Sequence, residues 1–243
     1  MSPHAMLSPR VDEETQIETK RGRVIAIDGP AGAGKTTLAR NLARHLGLAY
    51  VNTGLMYRAL AERALLRAVD PDEEAALEDM AEGMSFSLGP AGLGSDEVLI
   101  DGHPPPSSLN TPAVEAIVSR VARHDAVRAV LRKTQRHLGA GGSVMEGRDI
   151  GTVVFPDADL KIFLSAEPVV RARRRERERG CGDGVADAVA RRDALDARTN
   201  PFVPAADAHV LDTTMLSREE VLAEALRLVE AAGLQRESSG DSP

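Results

Sequence analysis

Nine residues at positions 29–37, GPAGAGKTT, combine glycines, one lysine and two adjacent hydroxyls in the spacing of a phosphate cradle. Its glycines let the backbone curl so that successive N–H groups converge on phosphate oxygens. Gly29, Pro30, Ala31, Gly32, Ala33, Gly34, Lys35, Thr36 and Thr37 are therefore assigned to the triphosphate of a bound nucleotide. Lys35 supplies a compact charge for the β- and γ-phosphates, and the Thr36 hydroxyl is placed to ligate Mg²⁺. The apolar run Val24–Ile27 before the cradle and a helical pattern after it are the context this motif requires.

The motif fixes a nucleotide site but not a reaction. No Asn-Lys-x-Asp run is present to read guanine, which argues against a GTPase switch. Glu146 follows only Ser143-Val144-Met145, short of the apolar run before the acidic pair of a motor ATPase. Two further clusters suit a second anion. In Asn52-Thr53-Gly54-Leu55-Met56-Tyr57-Arg58 a glycine turn enters a helix with a hydroxyl, a phenol and a guanidinium close together. An ordinary helix start also contains Thr and Gly. In Glu146-Gly147-Arg148-Asp149-Ile150-Gly151, Arg148 suits a phosphate, and Asp149 suits an amine on a base or a sugar hydroxyl. The alternative is an Arg–Asp pair that only fixes a loop. Finally, VVRARRRERERG at 169–180 carries six arginines and two glutamates. It is either a solvated helix of charge pairs or a lid that brings cations to a transferring phosphoryl group.

The elements that must hold these residues alternate short apolar runs with helical patterns, which predicts an α/β fold with a three-layer parallel sheet. Strands are expected at 24–27, 48–51, 144–145, 160–164 and 210–211. Helices are expected at 35–45, from 55, at 72–82, over a single long span 112–138, and at 219–232. Gly47 is placed as the cap that closes the first helix. Residues 84–109 read as a small antiparallel insertion, and 167–199 as a mobile helical lid. One α/β domain covers 22–234, between a disordered leader (1–21) and a disordered tail (235–243).

Composition narrows the partners. Net charge is −7 and aromatics are scarce, so neither a nucleic acid polymer nor an anionic membrane is attracted. Only four lysines are present, so the basic charge is nearly all Arg, the better fork for phosphate. One cysteine, Cys181, cannot form an internal disulfide and suits a reducing cytoplasm. No apolar run approaches membrane-spanning length.

The segments IDGPAGAGK, NTGLMYR, EGRDIGTVVFPDADLKIFL and PFVPAADAHVLDT, in this order and spacing, resemble bacterial cytidylate kinase from about Val24 to Ala232. The resemblance implies transfer of the γ-phosphate of ATP to CMP or dCMP with Mg²⁺, with 84–109 as the CMP-side insertion; a monomer is the simplest expectation for a hinged kinase. It implies CMP contacts at Thr53, Tyr57, Arg58, Ser119, Arg128, Arg148, Asp149, Arg192 and Asp196. Catalytic cations are implied at Lys35, Arg148, Arg171, Arg174 and Arg175. Three features depart from the family pattern: Asn52 stands where Asp is frequent, Thr36-Thr37 replaces Gly-Thr or Ser-Thr, and residues 197–200 are about two shorter, which leaves Arg198 without an assigned role. Kinases of UMP or shikimate, and a nucleotide-binding module without transfer activity, are the rival readings.

Overall fold

The computed structural model describes residues 22–89, 98–179, 194–196 and 202–235. The leader 1–21, the tail from 236, Cys181, Arg192 and Arg198 lie outside these residues.

Strand β1 (Val24–Asp28) is buried at every position, as a strand covered on both faces must be. It pairs in parallel with β5 (Ser143–Glu146) on one side and β6 (Leu160–Ser165) on the other. The edge strands β2 (Ala49–Asn52) and β7 (His209–Asp212) complete the order β2-β5-β1-β6-β7, all parallel. Successive side chains point to opposite faces, and the core divides accordingly. Val24, Ala26, Val51 and Met145 pack with helices α2 (Thr53–Leu66), α3 (Glu74–Glu82), α4 (Pro112–Ala122) and α5 (Asp125–Gly139). Ile25, Ile27, Tyr50 and Val144 pack with α1 (Lys35–Leu46) and α7 (Arg218–Ala231). Helix α6 (Pro168–Arg179) follows β6. The result is the expected three-layer α/β architecture.

Local signals explain the element ends. Gly47 closes α1 in the left-handed region at φ 67°. Ser217 and Glu220 form a reciprocal capping box that opens α7. The insertion is an antiparallel pair, β3 (Phe86–Leu88) with β4 (Val98–Ile100), whose Phe86, Val98 and Ile100 are buried in the α2–α5 side of the core.

The long helix expected over 112–138 is two helices. His124 is extended at ψ 124°, its Nε2 lies 2.9 Å from the Pro71 carbonyl, and Arg120 and Arg123 pair with Asp70 and Asp72 beside it. No Gly or Pro marks this break. It is made by tertiary contacts. A π-helical turn over Ile150–Val154 had no counterpart among the expectations. Among the described residues, no helix is long and apolar enough to cross a membrane.

Candidate active site

In an open parallel sheet, ligands bind outside the carboxyl ends of the strands where the chain reverses its order of laying them down. β1, β2 and β5 deliver the three clusters of interest to that edge. The cradle begins at Gly29, where φ is 140° and a Cβ would lie 2.1 Å from the Leu164 carbonyl oxygen, so only glycine fits. Five consecutive carbonyls of the loop are taken by side chains. Arg148 donates to Gly29 (2.8 Å), Lys35 to Pro30 (2.8 Å), Arg171 to Ala31 (3.1 Å), Arg174 to Gly32 (3.5 Å) and Thr213 to Ala33 (3.0 Å). With its carbonyls held, the loop has one backbone conformation, and its N–H groups and the start of α1 present positive potential to an anion.

Glu146 ends β5 inside this edge. It accepts hydrogen bonds from the Thr36 hydroxyl (3.0 Å) and from the Tyr50 hydroxyl. Burial, and then the Glu146 charge, push the Tyr50 phenol far above its usual range, which keeps it a donor. A hydroxyl and a carboxylate meeting beside the cradle are hard oxygen ligands of the kind Mg²⁺ takes, with phosphates and water completing its shell.

The acceptor side is assembled from distant elements. Thr53 donates to the Glu146 carbonyl (2.8 Å), which packs α2 against β5. Gly147 fits beneath it because a Cβ would lie 2.8 Å from the Thr53 hydroxyl. Arg58 reaches the Leu109 carbonyl and Glu115 (2.7 Å). Helix α5 then presents arginines one turn apart. Arg128 and Arg132 both donate to Asp149 Oδ2, at 2.8 and 2.7 Å, and Arg136 donates to the carbonyls of Val153 and Val154. Arg128 also reaches the last carbonyl of α4, that of Ala122. Tyr57 hydrogen-bonds Gln135 in the same group, and burial pushes its phenol up.

Two carboxylates tie this group to the donor side. Asp28, at the end of β1, accepts N–H bonds from Ile150 (2.9 Å) and Gly151 (2.8 Å). Burial pushes it up to about 6, against the pull of those two donors. Asp196 accepts from Ser119 (2.7 Å) and from Arg148 (3.1 and 3.2 Å), while Arg148 stacks over Phe202 with its guanidinium carbon 5.7 Å from the ring centre. A cavity of about 460 Å³ runs between the two sides. Among the described residues, six cations line it (Lys35, Arg40, Arg58, Arg128, Arg148 and Arg175) against three carboxylates (Glu146, Asp149 and Asp196). A cleft with that excess, on a chain of net charge −7, concentrates anions.

The family model for cytidylate kinase matches residues 25–231. The chain belongs to the cytidylate kinase family. It is 44% identical over 207 residues to the cytidylate kinase of Pelotomaculum thermopropionicum, covering 82% of this chain and 92% of that one. To the cytidylate kinase of Roseiflexus castenholzii it is 46% identical over 211 residues, covering 82% and 90%. Among solved structures it is similar to shikimate kinase from Bacteroides thetaiotaomicron, with TM-score 0.46 and 15% identity over 87% of this chain and 99% of that one.

Of the residues the sequence nominated, Gly32, Gly34, Lys35, Thr36, Thr37, Thr53, Tyr57, Arg58, Ser119, Arg128, Arg148, Asp149, Arg175 and Asp196 line this one cavity. Gly29, Pro30, Ala31 and Ala33 form the back of the cradle through their carbonyls. Of the three lid arginines, Arg175 faces the cavity, whereas Arg171 and Arg174 are turned onto cradle carbonyls, and Arg174 also onto Thr213. Arg192 lies outside the described residues. Sequence reasoning gave Glu146 no role and missed Asp28, Arg132 and Phe202. Glu146 and Asp28 had a readable signal, an acid closing a buried strand. Arg132 had one too, its spacing of four from Arg128 and Arg136 on one helix face.

Proposed function

We propose that this chain transfers the γ-phosphoryl group of ATP to the phosphate of CMP or dCMP, giving ADP and CDP or dCDP. The observation that carries this reading is that one cavity joins the cradle at 29–37 to the Arg58, Arg128 and Arg148 group. A nucleotide-binding module would need only the first of these. Lys35 neutralises charge on the donor's transferring phosphates, and Arg58, Arg128 and Arg148 orient the acceptor's phosphate in line with it. An acceptor oxygen bonds to the γ-phosphorus as the bond to the β,γ-bridging oxygen breaks. That acceptor oxygen is already ionised near neutral pH, because a phosphate second pKa is about 6, so no general base is required. Thr36 and Glu146 would hold Mg²⁺, which supplies charge neutralisation between the β- and γ-phosphates. Of the three nominated lid arginines, Arg175 on α6 lines the cavity and serves the transferring group, while Arg171 and Arg174 act by holding the cradle's shape. Ser119 and Asp196 serve the nucleoside half, and Asp149 is an acceptor for the cytosine amino group. The single cysteine suits the cytoplasm, where we place the enzyme.

The test is ADP release from ATP·Mg²⁺ with CMP, dCMP, UMP, shikimate or no acceptor. The expected result is turnover with CMP and dCMP, weak turnover with UMP and none with shikimate or without acceptor. Equal ADP release without acceptor would make the protein an NTPase and would remove the roles given to Arg128, Arg148 and Asp149.

A further inference from the structure

Tyr50 is buried in the core beside α1, and the transfer proposed above gives it no part. β2 and β5 run in register with Tyr50 opposite Val144 and Asn52 opposite Glu146, so Tyr50, Asn52 and Glu146 project from one face of the sheet. Helix α1 covers that face and brings Thr36 and Arg40, one turn apart, to the same three side chains. Thr36 donates to Glu146 Oε2 (3.0 Å), Tyr50 donates to Glu146 Oε1, and the Asn52 amide donates to the Tyr50 oxygen (3.2 Å). The Arg40 guanidinium carbon lies 5.3 Å from the centre of the Tyr50 ring. Proton counting fixes the direction of this relay, because a hydroxyl has one hydrogen to give. The phenol gives its hydrogen to the carboxylate, which leaves its oxygen to accept from Asn52. Thr36 gives its hydrogen to the same carboxylate, which leaves its lone pairs turned away from Glu146. Packing alone gives no reason for the phenol oxygen, since Phe would fill the same core without a polar atom to satisfy. Its effect falls on Glu146. With a donor on each oxygen, this buried carboxylate has one orientation.

We infer that Tyr50, oriented by Asn52 and Arg40, is a positioning residue for the divalent cation. By fixing Glu146 it also fixes the Thr36 hydroxyl, so the oxygen groups offered to the cation keep one geometry. Partners behind metal ligands commonly act in this way. A fixed set of oxygens suits Mg²⁺, which demands near-octahedral ligands, more than Ca²⁺, which accepts irregular shells. This inference rests on the assignment of Mg²⁺ to Thr36 and Glu146 proposed above.

The experiment is calorimetric titration of the full chain with the β,γ-imido analogue of ATP, in Mg²⁺, in Ca²⁺ and in EDTA. The quantity read is the factor by which each cation tightens binding relative to EDTA. We expect Tyr50→Phe to cut the Mg²⁺ factor about tenfold, the low end for loss of a partner behind a metal ligand. The Ca²⁺ factor should fall less, and the affinity in EDTA should stay at the parent value. Asn52→Leu, which removes the amide and leaves the phenol, is the second variant in case the first does not fold. It should cut the Mg²⁺ factor in the same direction by a smaller amount. A Mg²⁺ factor at the parent value in the folded variants, or equal cuts in the Mg²⁺ and Ca²⁺ factors, would show a purely structural phenol and overturn the inference. A parent protein that binds the analogue equally well in Mg²⁺ and in EDTA would instead overturn the cation assignment, before any variant is compared.

Discussion

At the cradle end of the cleft, five consecutive carbonyls, Gly29 to Ala33, are each held by a side chain, and the groups proposed to bind phosphate are the backbone itself. At the other end the groups proposed to hold the acceptor are guanidiniums, and each is held by a carboxylate from another element. Arg58 pairs with Glu115, Arg128 with Asp149 and Arg148 with Asp196, across 57, 21 and 48 residues of chain. A backbone cradle works only in one conformation, so its requirement is written locally, in glycines and a lysine. A set of guanidiniums can be presented by any scaffold that brings them together. Their geometry therefore depends on the whole fold.

The largest effect that bears on this contrast is at Lys35. Lys35→Ala should lower kcat on the order of 10³-fold, the scale for removing one preorganised charge from a transition state. CMP binding to the free enzyme, measured by calorimetry, should be unchanged, because Lys35 belongs to the cradle. Weakened CMP binding in this variant would show that the two ends are one electrostatic unit and would break the comparison.

The same contrast explains what could be read beforehand. The cradle, β1 and the start of α1 were legible because each follows from a few adjacent residues: the VIAI run, the glycines, and Gly47 as a cap. The three-layer sheet was legible from the alternation of buried runs with helical periods. The division of α4 from α5 was not, since its cause is the Asp70–Asp72 loop lying against Arg120, Arg123 and His124. Nor were the separate duties of Arg171, Arg174 and Arg175. Three arginines within one helical turn and a half look alike in sequence, and only packing decides that two grip the cradle. Asp28 was passed over as a strand end because its partners, the N–H groups of Ile150 and Gly151, are more than 120 residues away.

Asp28 joins the two ends directly, since it continues β1 and holds the turn after Asp149. Its pKa is raised from 3.8 to about 6 by burial, so the folded state binds its proton more tightly than the unfolded chain. It therefore contributes stability that is fully present below about pH 4 and is lost as pH rises through about 6. A raise of about two units corresponds to ~3 kcal/mol. Denaturant unfolding between pH 4 and 7 should show the parent losing about that much more stability than Asp28→Asn, whose side chain cannot ionise. Equal pH slopes would mean that Asp28 titrates normally and that the link between the two ends carries no strain.

The smallest expected effect is the most discriminating, and it lies at Asp196. This carboxylate holds Ser119 and Arg148 at once, and an amide in its place loses the charge that draws the Arg148 fork. Asp196→Asn should raise the KM for CMP by about 10–100-fold, the worth of a charge-assisted hydrogen bond. Yet Arg148 also donates to the Gly29 carbonyl, which ties an acceptor-side arginine to the cradle. If its position depends on Asp196, the KM for ATP should rise in step with that for CMP. If the Gly29 bond and the face of Phe202 hold Arg148 without help, the KM for ATP should stay at the parent value. We expect the second result, because the Gly29 bond and the Phe202 face survive the substitution. A parallel rise would place the boundary between the two ends at Arg148 itself and make that side chain part of the cradle.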